Sequence, residues 1–171
     1  MSLFDLLANL VEPFFDLIPR LAHRPQSNEV MVIDSWHGRV RTSRAPRVFI
    51  PALTHIEYYP KHEIPTDCGI QRLTTVDGIS VAVNATASYN IEDPVLLRDK
   101  FGDNYEELTT LAIRGFVCEY VNDHNFTHLP EILCGNQIWN EIAVELSYAG
   151  ISLTDFRAED IQEVIPLSVL Q

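Results

Sequence analysis

Leu73–Pro94 reads LTTVDGISVAVNATASYNIEDP, and its side-chain alternation decides the fold of this chain. From Ile79 to Ile91 the odd positions (Ile79, Val81, Val83, Ala85, Ala87, Tyr89, Ile91) are apolar. The even positions (Ser80, Asn84, Thr86, Ser88, Asn90) are polar, with Ala82 the exception. Successive side chains of a strand point to opposite faces of a sheet, so this period predicts one long strand with a single buried face. Asp77-Gly78 just before it predicts a hairpin closed by a two-residue primed turn, which needs positive φ at its centre. Glu92-Asp93-Pro94 predicts the end of the strand and the start of a helix. Asp93 is placed to cap that helix, and Pro94 suits its first position, where an N–H would have no intrahelical partner.

Downstream, Pro94 to Phe101 reads as a short helix. Asn104 or Asp103 is placed to cap a longer one to about Val121, with apolar Leu108, Leu111, Ala112, Phe116 and Val117 recurring every three or four residues. Thr127 is placed to cap a turn running to Leu133, and Asn136 to Tyr148 reads as a third amphipathic helix with Gly150 past its end. Ile151 to Phe156 closes as a strand. Upstream, Glu29 to Trp36 reads as a strand and His37-Gly38-Arg39 as a turn. Val48 to Pro51 and Thr54 to Tyr59 suggest further short strands, with Pro46, Pro51, Pro60 and Pro65 setting ends and edges. The expected fold is α+β. A twisted, mainly antiparallel sheet (strands near 29–36, 47–65, 70–76, 79–91 and 151–156) is packed by helices near 94–101, 104–122 and 136–149.

The first 22 residues, MSLFDLLANLVEPFFDLIPRLA, are unlike the rest. On a helix Asp5, Asn9, Glu12 and Asp16 make one narrow polar stripe, leaving a broad apolar face. Pro13 would kink that helix and Pro19 would end it near Ile18. No basic leader and no cleavage signal precede it, so a secretory signal is not expected. The segment is read as an anchor, with Leu3, Phe4, Leu7, Leu10, Phe14, Phe15 and Ile18 buried in lipid or in protein. The expected organisation is an anchor and linker over 1–27, one domain over 28–165 and a tail over 166–171.

The 171 residues are 46% hydrophobic, enough for one sizeable core. The net charge of −12 is unevenly placed: residues 1–61 hold seven Lys/Arg against six Asp/Glu, and residues 62–171 hold five against eighteen. A body this acidic repels phosphodiesters, which excludes a nucleic-acid role. The basic cluster between Arg20 and Arg47 is the one place where an anionic surface is met, unless it is simply a solvated loop face. Cys68, Cys118 and Cys134 are odd in number and show no C-x-x-C spacing, so neither a disulfide framework nor structural zinc is expected. No run of about 18 uncharged apolar residues occurs, so no conventional membrane-spanning helix is expected.

Catalytic constellations are weak. Cys118, His124 and His128 sit within eleven residues, and a cysteine hydrolase needs its thiol near an imidazole, but Cys118 falls inside an amphipathic helix, where a small packed residue explains it. His124 and His128 would share a helix face and suggest metal, yet Asn122-Asp123-His124-Asn125 reads as a helix-ending turn. His55 and His62 suit a partly exposed sheet face. The pairs Glu106-Glu107 and Glu159-Asp160 are adjacent and point apart. Phosphate-binding, dinucleotide-binding and nucleophile-elbow motifs are absent. No catalytic, metal or cofactor site is assigned.

The order of hairpin, long strand, Asp-Pro and helix is similar to the core of the SPFH superfamily: stomatin, prohibitin, flotillin and their bacterial relatives. The resemblance runs from about Glu29 to Ile161. Arg47 to Tyr58 (RVFIPALTHIEY), Thr75 to Val81 (TVDGISV), Tyr89 to Pro94 (YNIEDP) and Gly150 to Ile161 (GISLTDFRAEDI) each resemble a family motif. The likeness is to a short member. Relatives usually carry a hydrophobic hairpin or spanning segment before the domain, where the apolar lead here is short and acid-striped, and a long coiled coil after it, where the sequence here ends at Gln171. The resemblance implies a non-enzymatic, membrane-associated scaffold without cofactor, intracellular, which oligomerises and organises a membrane or its proteins. The alternative is a soluble cytoplasmic subunit of a ring, cage or particle, as in the SPFH-like shoulder domain of the vault, with the N-terminal segment as a subunit contact. Domains side by side would bring Arg39, Arg41, Arg44 and Arg47 of one copy against Asp103, Glu106 and Glu107 of the next, or the arginines would face anionic lipid.

Overall fold

Charge and architecture change at the same place. The computed structural model describes residues 22–35, 40–48 and 53–164, and divides between Lys61 and His62 into two compact units. The expected anchor residues, Arg39 and the turn around Gly38 lie outside the described residues.

The N-terminal unit holds strands β1 (Ala22–His23), β2 (Glu29–Ser35), β3 (Val40–Ser43), β4 (Arg47–Val48) and β5 (Thr54–Pro60). β2 is the middle of an antiparallel sheet, β3-β2-β5, and β1 pairs with β4 in a separate two-residue ladder. Met31, Val32 and Ile33 are consecutive and all buried, so both faces of the central strand are covered. The turn entering β2 is closed by Glu29, whose backbone N–H donates to Gln26 O (3.1 Å) and whose carboxylate accepts from Gln26 N (3.0 Å). Lys61 N donates to Asn28 O (2.7 Å), which brings the end of the unit back beside that turn. Buried Ser43 accepts from Ala45 N and from Arg47 Nε (3.2 Å), joining β3 to β4.

In the C-terminal unit β6 (Ile64–Thr74), β7 (Ser80–Ile91) and β8 (Ile151–Glu163) form an antiparallel meander with β7 central. The helices between are α1 (Pro94–Phe101), α2 (Tyr105–Asp123), a single turn α3 (Leu129–Leu133) and α4 (Asn136–Ser147). The alternation is realised as expected. Val81, Val83, Ala85, Ala87 and Tyr89 are buried, while Ala82, Asn84, Thr86, Ser88 and Asn90 are only half-buried. The buried core adds Leu97 of α1, Ile113 and Val117 of α2, Leu129 and Leu133 of α3, and Ile138, Ile142 and Leu146 of α4. Each fully buried aliphatic of this kind stabilises by roughly 1.5–3 kcal/mol before ordering costs. Thr66 Oγ1 lies 2.8 Å from Thr110 Oγ1, a side-chain bond from β6 to α2.

Several boundaries differ from expectation. The β6–β7 turn has three residues rather than two. Thr75 N donates to Ile79 O (3.0 Å), Gly78 N donates to Thr75 O (2.9 Å), and Gly78 alone takes positive φ (80°). β6 starts at Ile64, not near residue 70, because a bulge between Asp67 and Gly69 lets the strand continue. Gly69 supplies φ 66° there, and Asp67 Oδ1 accepts its N–H (2.8 Å). Pro65 is tolerated because β6 is an edge strand. β8 runs on to Glu163 past two bulges, with Asp160 at φ 53°. Asp93 caps α1 as expected, accepting from Val95 N and Leu96 N. Neither Asn104 nor Thr127 makes a side-chain capping bond; a 3-10 turn, Gly102–Asn104, leads into α2 instead.

Candidate functional site

The long helix α2 carries two apolar stripes, and only one is in the core. Thr109, Ile113, Val117, Tyr120 and Val121 are buried. Leu108 and Leu111, expected to pack inward, are 37% and 49% exposed, with Ala112 half-buried and Gly115 open beside them. These positions are spaced three and four apart and so share one face. Nothing lies within 4 Å of where a Gly115 Cβ would be, so that strip is flat and open within this unit. Glu106 and Glu107 in the first turn, and Asp103 just before it, are exposed. Carboxylates there suit the positive end of the helix dipole. The Tyr105 hydroxyl donates to Glu106 Oε1 (3.3 Å), and burial, reinforced by that carboxylate, pushes the phenol up to about 12.

The cations of the N-terminal unit are exposed in turn. Arg41 lies on β3 opposite Ile33, Arg44 in the bend after it, and Arg47 on β4 with its Nε on Ser43. Arg44 also lines a cleft of about 440 Å³ with Arg24, Lys61, Gln26, Ser27 and Glu29, walled by Pro25 and Pro46. Among the described residues Arg24, Arg44 and Lys61 form no ion pair. Arg24 and Arg44 fall in the basic cluster read from the sequence, but Lys61 does not, because only the β2–β5 register and the Lys61–Asn28 bond bring it beside them.

The catalytic alternative gains no geometry. Cys118 Sγ accepts from Asn122 Nδ2 (3.5 Å). His124 stacks on Tyr120 with ring centroids 5.8 Å apart, and its Nδ1–H donates to Tyr120 O (2.8 Å). α2 ends at Asp123 and His128 lies in a separate 3-10 turn, so the two histidines do not share a helix face. No group of three His, Cys, Asp or Glu side chains suited to a metal occurs among the described residues. Burial, with Asp67 reinforcing and Arg114 opposing, pushes the Cys68 thiol up to about 11, away from nucleophilic use at neutral pH. No helix of the described residues is long and apolar enough to cross a membrane.

A polar lock holds the helices in place. Burial, reinforced by the Glu141 carboxylate of α4, pushes the Tyr120 hydroxyl of α2 up to about 12, and Gln137 Nε2 donates to the same carboxylate (3.3 Å). Asp77 accepts from Phe126 N (3.3 Å) and from the Thr75 hydroxyl, and Val76 N donates to His124 O (3.2 Å). The hairpin turn is thereby latched to the end of α2.

Residues 25–164 match the family model described as SPFH domain / Band 7 family. No curated protein matches the chain.

Proposed function

The chain belongs to the SPFH domain / Band 7 family, whose members are generally non-enzymatic scaffolds associated with membranes, and from that premise we propose that it is a scaffold subunit that self-associates laterally on a membrane. The observation that carries the reading is the outward stripe of α2, with Leu108 and Leu111 exposed beside Glu106 and Glu107. A second copy fits this surface because the chain's own N-terminal unit offers exposed Arg41, Arg44 and Arg47 of opposite sign. Complementary charge sets register and partner orientation, and apolar burial supplies affinity. One contact repeated head to tail closes into a ring or continues as a filament.

In this reading residues 28–165 are the assembling domain and residues 2–22 attach it to lipid or to a membrane protein through Leu3, Phe4, Leu7, Leu10, Phe14, Phe15 and Ile18. The location is intracellular and peripheral. Sedimentation velocity of the full chain, at low and high salt and with and without vesicles, tests it. Salt-sensitive oligomers that float with vesicles, and lose flotation on deletion of residues 1–22, are expected. A chain that stays monomeric at high concentration and low salt with lipid present overturns the scaffold. Large soluble oligomers indifferent to vesicles would assign the soluble ring or cage instead.

A further inference from the structure

The cleft of the N-terminal unit is chemically unlike the rest of this acidic protein. Arg24, Arg44 and Lys61 line an open cleft of about 440 Å³ whose one lining carboxylate, Glu29, is already accepting the Gln26 N–H. Ser27 and Gln26, both residues with hydrogen-bond donors, also line it. Three cations against one carboxylate leave a local excess matching the charge of a phosphate monoester, close to −2 near neutral pH. Guanidinium forks match phosphate oxygens in pairs, and an ammonium adds a point charge. The turn bond of Glu29 to Gln26 and the Lys61–Asn28 bond fix the backbone on two sides of the cleft, and the Arg24, Arg44 and Lys61 side chains are exposed to an incoming anion.

We propose that this cleft binds a dianionic phosphate group, carried by a lipid headgroup or free in solution. The lipid source rests on the membrane reading above; the phosphate chemistry does not. A monoester lipid such as phosphatidic acid is preferred over a singly charged phosphodiester such as phosphatidylglycerol, because the cleft's excess charge is satisfied only by the former.

The test uses the full chain. Thermal unfolding is followed with inorganic phosphate against chloride at equal ionic strength, and flotation with phosphatidylcholine vesicles doped with phosphatidic acid or with phosphatidylglycerol. Phosphate is expected to raise Tm saturably, to compete with flotation, and to act on wild type while sparing the double variant Arg24→Gln/Lys61→Gln. Flotation with phosphatidic acid should fall about fivefold per cation removed. The variant Arg72→Gln/Lys100→Gln, which removes two exposed cations outside the cleft, should keep both effects. Phosphate stabilisation without flotation would uphold the site and assign it a soluble ligand. No phosphate effect beyond chloride, or equal losses in both double variants, would overturn it. Sedimentation of the same samples separates the two readings: intact oligomers without phosphate binding remove the cleft alone, and phosphate-binding monomers remove the scaffold alone.

Discussion

At Gly150 three demands fall on one residue. Its φ is 76°, and an added Cβ would run into the Asp93 carbonyl. Its own carbonyl accepts from Glu92 N (2.9 Å) and Asp93 N (3.0 Å), fixing the start of β8 against the end of β7 and the cap of α1. Gly150→Ala is therefore expected to cost about 2–5 kcal/mol, the sum of left-handed strain and a clash with backbone that cannot yield. Chemical denaturation reads it; an unchanged midpoint would remove the junction argument. The thiols divide by the same local logic. Exposed Cys134 should react with a disulfide reagent within the mixing phase, half-buried Cys118 more slowly, and Cys68 only as the chain unfolds. Stoichiometric fast labelling of Cys118 would instead revive a nucleophilic role. Asp77 is held below the usual carboxylate range, chiefly by the Thr75 hydroxyl, with burial opposing and the Phe126 N–H assisting. A depressed folded pKa means that the latch contributes above the unfolded value and is lost as pH falls through the folded one. Asp77→Asn should therefore flatten the acid limb of a stability–pH profile and leave its neutral and alkaline parts parallel to wild type.

Elements were legible where one physical signal dominated and illegible where two competed. The alternation of β7 left one reading, and the Asp-Pro start of α1 left another. The expected gap between strands near 47–65 and 70–76 is bridged by β6, where an edge position accommodates Pro65 and a bulge employs Gly69. β8 is expected from sequence to end at Phe156, while the strand runs on to Glu163, since an edge strand keeps its polar face in water. α2 misled differently. Its leucines suggested the buried face, yet the core took Thr109, Ile113, Val117 and Tyr120, leaving Leu108 and Leu111 outside. A helix with two apolar stripes cannot be oriented from periodicity alone. The two faces should separate under mutation. Ile113→Ala, at a fully buried site, is expected to cost about 2–5 kcal/mol. Leu111→Glu should leave thermal stability within about 0.5 kcal/mol of wild type, as a surface change does, while weakening self-association. Loss of stability in Leu111→Glu without any change in sedimentation would show the outer stripe to be structural.

At the scale of the whole molecule, the division into units coincides with a division of charge: the segment to Lys61 is nearly balanced, and the segment from His62 holds eighteen carboxylates against five cations. An acidic monomer of this kind resists association with copies of itself unless a patch of opposite sign is presented, and the exposed Arg41 and Arg44 present one. That arrangement makes a reciprocal prediction. In lipid-free and phosphate-free buffer, Arg41→Glu/Arg44→Glu should weaken self-association by about tenfold, since it replaces two attractive pairs with two repulsive ones. Glu106→Arg/Glu107→Arg should weaken it similarly. Combining all four changes in one chain should restore much of the loss, and mixing the two double variants should give assemblies that neither forms alone. Restoration is the discriminating outcome, because general loss of charge or of folding would deepen in the fourfold variant. If the fourfold variant associates no better than either double, the arginines and the α2 acids do not meet, and the scaffold contact lies on another face of the domain.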